Sequence, residues 1–200
     1  MRAWNPVQGK AHMEKYFGAL TLTLLLSMVL IRVRLMRRKG QQAVHFGKID
    51  KTDFLIPPFA LFYFYVVFAA AFDWPTMARH RFFVSQAASW AGVLCCLAGL
   101  ILLFLSLLSF GRSFRIGIDQ DSPDKLVTSG VFAVSRNPIY VAFCFVLLGQ
   151  FLLFSNLIPL VYLVAATWLF HRQVLREEDF MKRHYGKQYA DYCKRVRRYL

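Results

Sequence analysis

The sequence has 200 residues, of which 57% are hydrophobic, and it carries a formal net charge of +14. A soluble domain of this length would be about half apolar, with charges interspersed, whereas here the apolar residues are gathered into long blocks. The pattern excludes an ordinary soluble domain and indicates an all-α integral membrane protein. The four cysteines show no CxxC spacing, so we expect packing residues rather than a disulfide framework.

Five apolar segments could span a bilayer, for which a helix needs about 20 apolar residues. In chain order they are 16–35, 55–72, 87–110, 139–155 and 157–170. Pro57 and Pro58 suit the first turn of the second helix. The fourth and fifth segments are short and separated only by Asn156, which favours a tight helical hairpin; the alternative is one broken helix.

The distribution of Lys and Arg predicts how these segments cross the membrane. With five spans, five basic residues fall on one side and 20 on the other, and the positive-inside rule places the richer side in the cytoplasm. We therefore expect the N-terminus outside, with the connection 111–138 and the tail after residue 170 together in the cytoplasm. Topology and anionic lipid headgroups account for the charge, so no nucleic-acid partner is expected.

Two regions are expected: residues 1–86 as an N-terminal two-helix membrane region and residues 87–200 as a core region with the third span, the connection, the helical hairpin and the tail. In the tail, apolar and aromatic residues recur at helical period with basic residues between them. They are Val174, Met181, Tyr185, Tyr189, Tyr192 and Val196. This amphipathic pattern predicts a helical tail that lies in the membrane interface, with Gly186 ending or kinking its first piece.

Arg136 stands at the entrance to the fourth span, where an unpaired charge is expensive. Pro138 suits the start of a helix, whose N-terminus favours anions. The arginine therefore needs a carboxylate, from the tail or from a ligand. Glu177 and Glu178 are the candidates; local pairing with Arg172, Arg176 or Lys182 is the purely structural alternative.

Four motifs in order carry a family resemblance: Lys125 to Phe132 (KLVTSGVF), Arg136 to Tyr140 (RNPIY), the Glu177–Glu178 pair, and YGxxYxxY from Tyr185. From about Leu97 onward the chain resembles the isoprenylcysteine carboxyl methyltransferase family, whose general pattern the phospholipid methyltransferases share. The resemblance implies a membrane enzyme that uses S-adenosylmethionine without a Rossmann domain, and the chain has no GxGxxG unit.

The resemblance also implies site residues. Arg136 and Glu177 would be catalytic, and His171, Arg172 and Gln173 would bind substrate. The cofactor would contact Asp124, Lys125, Leu126, Val127, Phe132, Asn137, Pro138, Ile139, Tyr140, Glu177 and Glu178. The chain departs from the family at Asp124 and Asn137, where His is usual, and at Phe132, where Tyr is usual. It also has Gln173 where isoprenylcysteine enzymes usually carry an Arg thought to meet the substrate carboxylate.

The implied reaction is methyl transfer to a lipid or lipidated substrate within the bilayer, first of all carboxyl O-methylation of an isoprenylcysteine. A carboxylate or thiolate acceptor needs no general base, whereas an amine does, and no residue is obviously dedicated to that task. Phospholipid N-methylation and thiol S-methylation remain alternatives, as do an NADPH-dependent lipid reductase and a non-catalytic membrane protein. The five histidines form no HExxH arrangement, so no metal site is expected.

Overall fold

A computed structural model describes residues 6–38, 56–72, 74, 82–110 and 126–200. This part of the chain is helical, which confirms the expected all-α class. The helices are α1 (Pro6–Arg38), α2 (Ile56–Ala71), α3 (Gln86–Phe110), α4 (Pro138–Phe154), α5 (Leu157–Tyr185) and α6 (Lys187–Arg195), with a 3₁₀ helix at Gly130–Ala133.

Among the described residues, three helical segments are long and apolar enough to cross a membrane: Tyr16–Leu35, Gln86–Ser109 and Leu157–Tyr185. Two further apolar helices, Ala60–Ala71 and Pro138–Phe154, are shorter than a full span. The positions of the predicted segments are therefore confirmed as helices. Five complete crossings and their orientation stay predictions.

The most extensive contact in the fold joins α3 to α4. The two backbones meet at small residues: a Cβ on Gly99 would lie 2.7 Å from the Ala142 carbonyl oxygen, and one on Gly149 would lie 2.6 Å from the Gly92 oxygen. Both distances are below van der Waals contact, so larger side chains would force the helices apart. Gly92, Gly99 and Gly149 thus permit close helix packing, as small residues do in membranes.

The hairpin predicted between the fourth and fifth segments is confirmed. Ser155 adopts the left-handed conformation at φ 42°, and the Asn156 side-chain oxygen accepts a hydrogen bond from the Ile158 amide at 3.0 Å. That bond caps the start of α5. The two helices then pack antiparallel against each other, so the alternative of one broken helix is wrong.

The tail differs from the expectation in two respects. First, the fifth apolar segment and the first helical piece of the tail form one continuous helix, α5, which runs to Tyr185 and ends at Gly186, with φ 50°. Second, the apolar stripe of the tail packs on protein: Tyr189, Tyr192 and Val196 are buried in a cluster with Leu126. The stripe therefore holds the tail against the connection that precedes α4.

The N-terminal helices pack on the core through a mainly apolar cluster that includes Leu22, Tyr63, Cys96 and Tyr162. A polar contact also joins the two regions inside the bundle: the buried Gln150 side chain donates to the Gly18 carbonyl at 2.9 Å. Because Gly18 has no side chain, the side-chain amide of Gln150 on α4 can reach the backbone of α1 there. The first two helices thus support α3 and α4, and the packing of α4 on α3 positions the start of α4.

Candidate functional site

The short segment after α6 folds back beside the residues that precede α4. Ser135 and Arg197 form a parallel β-bridge, and the Arg136 amide donates to the Arg197 carbonyl at 3.0 Å. We call this meeting of residues 135–137, Glu178 and residues 196–198 the junction. It brings the connection, α5 and the tail together at one end of the bundle.

Arg136 is the centre of the junction. Its Nε and Nη2 both donate to Oε1 of Glu178, at 3.1 and 2.9 Å, and its Nη1 donates to the carbonyls of Cys193 and Val196. Four of its five N–H groups are therefore engaged by protein. The carboxylate partner expected for Arg136 is present, and it is Glu178.

The other oxygen of Glu178 binds a second arginine. Arg198 donates from Nε at 3.0 Å and pairs through Nη2 at 2.9 Å with Oε2. The Glu178 residue is only 3% exposed, and Asn137 adds a longer contact of 3.4 Å to Oε1. The hydrogen bond with Glu178 raises the pKa of Arg198 above its ordinary value. Glu178 is thus saturated by protein cations, which makes it a structural anchor of the site.

Sequence reasoning missed Arg198. It lies in the basic run that begins at Lys194, where nothing in composition or spacing separates it from its neighbours. No feature of the sequence singles it out, because its contact with Glu178 depends on the tail folding back after α6.

Glu177 faces a different side of α5, because consecutive residues on an α-helix point about 100° apart. Its Oε1 accepts a hydrogen bond from the Tyr140 hydroxyl at 2.6 Å and another from Gln173 Nε2 at 3.1 Å. The Tyr140 ring also packs on Phe170, with centroids 5.6 Å apart. Two of the predicted residues, Tyr140 and Glu177, therefore meet directly, and Gln173 joins them.

The start of α4 forms one wall beside these groups. Pro138 occupies the first turn and is buried, and the first intrahelical bond runs from the Val141 amide to the Asn137 carbonyl at 3.2 Å. The Asn137 side chain does not cap the helix; it donates to the Arg198 carbonyl at 3.1 Å. Ile139 packs into the apolar cluster of α3 and α4, so its side chain faces the bundle.

The 3₁₀ helix is fixed beneath the tail. Phe132 is buried, and its carbonyl accepts a 2.6 Å hydrogen bond from the Tyr192 hydroxyl. Burial is the main reason that the pKa of Tyr192 rises to about 12, so the phenol remains a donor at neutral pH. Leu126 packs on the same tail cluster and Val127 is half-buried. Asp124 and Lys125 lie outside the described residues.

The three residues predicted to bind substrate do not share a face. His171 is exposed, and its Nδ1 lies 2.7 Å from the Tyr199 hydroxyl. The Arg172 guanidinium stacks on Trp168, with 5.9 Å between its Cζ and the ring centroid. Gln173 reaches the cluster at the start of α4 through its hydrogen bond to Glu177.

Comparison with known proteins places these motifs in a family. A sequence model described as phospholipid methyltransferase matches residues 87–188, which is about half of the chain and covers α3 through the start of α6. The matched residues include Arg136, Tyr140 and the glutamate pair.

The similar relatives carry one kind of name. Protein-S-isoprenylcysteine O-methyltransferase B of Arabidopsis thaliana is 32% identical over 108 residues, which cover 52% of this chain and 55% of the relative. Protein-S-isoprenylcysteine O-methyltransferases of Xenopus laevis and Rattus norvegicus are 32% and 33% identical, over 52% and 54% of this chain, and the match covers 38% and 39% of their lengths. The chain thus matches about half, or less, of each relative's length. From the family match, the chain belongs to the phospholipid methyltransferase family, and it is similar within the matched region to proteins named as isoprenylcysteine O-methyltransferases.

Proposed function

We propose that this protein transfers a methyl group from S-adenosylmethionine to a lipid-like acceptor in the membrane, and that the acceptor is the carboxylate of an isoprenylcysteine. The observation that supports the proposal is that the two glutamates contact different groups. Glu178 is saturated by Arg136 and Arg198, whereas Glu177 lies with Tyr140 and Gln173 at the start of α4.

The residues in this cluster fit S-adenosylmethionine. The Glu177 carboxylate suits the cationic amino group of the cofactor, and the start of α4 suits its carboxylate, since helix N-termini favour anions. The Tyr140 ring, held against Phe170, would form an apolar wall. Arg136, with four of its donors engaged, acts by holding Glu178 and the connection in place.

When bound, S-adenosylmethionine supplies a methyl group on a sulfonium, which a carboxylate oxygen accepts without losing a proton. The chain's residues then contribute alignment and exclusion of water rather than a general base. The junction suits both tasks, because the tail covers the connection next to the cluster. Placing the cluster at the end of apolar helices gives a prenylated acceptor access from the bilayer.

The names of the relatives favour an isoprenylcysteine acceptor. The description of the matching family model favours a second candidate, N-methylation of an ethanolamine phospholipid. That acceptor would have to lose a proton first. In the described cluster near Tyr140, Glu177 is the one carboxylate that could take the proton, and it already accepts hydrogen bonds. The carboxylate acceptor needs no such step and is the function we propose.

Methyl transfer with three acceptors tests the proposal. The purified protein is given S-adenosylmethionine carrying a labelled methyl group, with S-farnesylcysteine, S-farnesylcysteine methyl ester or phosphatidylethanolamine in lipid nanodiscs. We expect label on the free acid alone, as a base-labile ester. Label on phosphatidylethanolamine alone would instead assign the phospholipid reaction, and thermal stabilisation by NADPH but not by S-adenosylhomocysteine would assign a reductase.

We further propose five spans with the N-terminus outside and the junction in the cytoplasm. The support is the distribution of basic residues together with the three long and two shorter apolar helices. Single cysteines introduced next to Arg38 and Gly186 should react with an impermeant reagent only from the cytoplasmic side, and one next to Arg79 only from outside. Labelling of the Arg38 and Arg79 sites from one side would contradict five spans.

A further inference from the structure

We infer that Arg198 is a positioning residue of the cofactor site, which acts on Glu177 through Glu178. The inference rests on the proposed function, since it concerns the cluster that would bind S-adenosylmethionine. Arg198 does not touch that cluster through its described contacts. Its guanidinium binds Glu178, the next residue along α5.

The two glutamates share one turn of α5 but contact different parts of the protein. Glu178 is held by Arg136 and Arg198, and Glu177 receives the 2.6 Å hydrogen bond of Tyr140. Any rotation or sliding of α5 that relaxes the first carboxylate must also move the second, because both are attached to the same rigid helical turn. The contacts that hold Glu178 therefore determine the position of Glu177 relative to Tyr140.

Each oxygen of Glu178 is fixed by a different segment of the chain. Arg136, which precedes α4, takes Oε1, and Arg198, which follows α6, takes Oε2. With Oε2 released, the carboxylate could turn about the single remaining arginine. Two cations on two oxygens define the orientation of the carboxylate plane as well as its position, as charge-assisted paired contacts do.

The backbone of Arg198 joins the same arrangement. Its carbonyl accepts from the Asn137 side chain at 3.1 Å, and the preceding carbonyl of Arg197 accepts from the Arg136 amide at 3.0 Å. The segment that carries Arg198 is thus attached to the residues leading into α4, which carries Tyr140. Arg198 closes a loop of contacts that runs from the start of α4, through the tail, to α5.

A double-mutant cycle on the full chain tests the inference, with S-adenosylhomocysteine binding measured by calorimetry in nanodiscs. The variants are Arg198→Ala, Tyr140→Phe and the double substitution. Arg198→Ala should weaken binding by roughly ten-fold or more. Both changes act on the placement of Glu177, so their effects should not be independent. The fold-loss of affinity in the double variant should therefore be appreciably smaller than the product of the two single fold-losses.

Two further variants separate positioning from a general loss of structure. Arg198→Lys keeps the charge but not the paired contact, so it should fold like the unaltered protein and recover only part of the binding. Arg195→Ala is the matched control, since that side chain is exposed and its Nε donates a 3.4 Å hydrogen bond to the Asp191 carbonyl of its own helix. It should leave binding unchanged and combine additively with Tyr140→Phe.

The outcomes distinguish this inference from the proposed function. Failure of the unaltered protein to bind S-adenosylhomocysteine would remove both. Normal binding by the unaltered protein together with additive effects of Arg198→Ala and Tyr140→Phe would remove only the role of Arg198. Full recovery of binding in Arg198→Lys would also overturn it, because a single point charge would then suffice. If Arg198→Ala does not fold, the cycle is run with Arg198→Lys under the same criterion.

Discussion

The contact between α3 and α4 and the junction at the start of α4 hold the same helix by opposite means. Along α3 the backbones meet at Gly92, Gly99 and Gly149, where no side chain intervenes. At the junction, by contrast, α4 is approached through charges, with Glu178 between Arg136 and Arg198. One contact depends on the absence of side chains and the other on their chemistry.

This difference follows from the surroundings of each contact. Lipid offers no hydrophobic drive for two apolar helices to associate, so close van der Waals packing at small residues becomes decisive. At the junction, a buried carboxylate can be retained because cations and hydrogen bonds satisfy it. The glycine contact holds the helices together, whereas the junction depends on individual charged side chains. Substitutions at the glycine contact should therefore affect folding, and substitutions at the junction should affect ligand binding.

The largest effect is expected at the glycine contact. Gly99→Leu would place a side chain where even a Cβ lies 2.7 Å from the Ala142 carbonyl and from a Val146 methyl. We expect a cost of roughly 3 kcal/mol or more from overpacking, and loss of the folded protein. The measurement is the yield of monodisperse protein in detergent. Ala98→Leu is the control, because Ala98 is exposed on the same helix and should tolerate the change.

At the junction, Arg136→Ala should abolish function while leaving the helices inserted. It leaves the buried Glu178 with one arginine and frees the carbonyls of Cys193 and Val196. Breaking such a pair costs on the order of 3–5 kcal/mol, equivalent to two to three decades or more in affinity for S-adenosylmethionine. Equilibrium dialysis measures it, and Arg136→Lys should recover only part.

An exposed ion pair on α5 provides the matched control for that result. Arg183 Nη2 lies 2.9 Å from Asp179 Oδ2. These two side chains are 73% and 63% exposed, whereas the side chain of Arg136 is 11% exposed. Surface pairs contribute about 0–1 kcal/mol, so Arg183→Ala should bind the cofactor almost normally. Equal losses in the two variants would mean that net charge, and not the junction, governs binding.

A smaller effect is expected beneath the tail. Tyr192→Phe removes the 2.6 Å hydrogen bond that the Tyr192 hydroxyl donates to the Phe132 carbonyl. We expect a loss of about 0.5–1.5 kcal/mol in stability, measured as a lower thermal midpoint. Stabilisation by S-adenosylhomocysteine should persist, since Glu177 and Tyr140 are untouched. Unchanged stability would show that the tail is held without this bond.

The same tyrosine predicts a pH dependence. Burial raises the pKa of Tyr192 from 10.0 to about 12, so the unfolded chain releases this proton at lower pH than the folded protein does. The contribution of Tyr192 is therefore complete below pH 10 and is lost as the pH rises towards 12. The difference in thermal midpoint between the unaltered protein and Tyr192→Phe should shrink over that interval. A constant difference would contradict the raised pKa.

The sequence predicted the helices because apolar periodicity and length decide them in a membrane. It also predicted the turn at Asn156 and the end of a helix at Gly186, where capping and backbone chemistry are local. It treated the fifth apolar segment and the first piece of the tail as separate helices divided near residue 170, because hydropathy falls there. Hydropathy does not end a helix, and the residues up to Tyr185 are all compatible with one.

Pairing within the site could be predicted only in part. The cost of burying Arg136 indicated a carboxylate, but not which of two adjacent glutamates, since that depends on the rotation of α5. Arg198 and Tyr199 could not be found, because their roles arise from the tail turning back after α6. Likewise the apolar stripe of the tail is equally suited to lipid and to protein, and only the fold shows that it covers Leu126.

The most direct test of this account is calorimetric titration of S-adenosylhomocysteine into the protein, into Glu177→Gln and into Asp179→Asn. Glu177 is hydrogen-bonded to Tyr140 inside the cluster, whereas Asp179, two residues away, is exposed and paired only at the surface among its described contacts. The account predicts normal binding in Asp179→Asn and a loss of two decades or more in Glu177→Gln, as for a removed charged partner. Equal, normal binding by all three proteins would place the cofactor elsewhere and contradict the account.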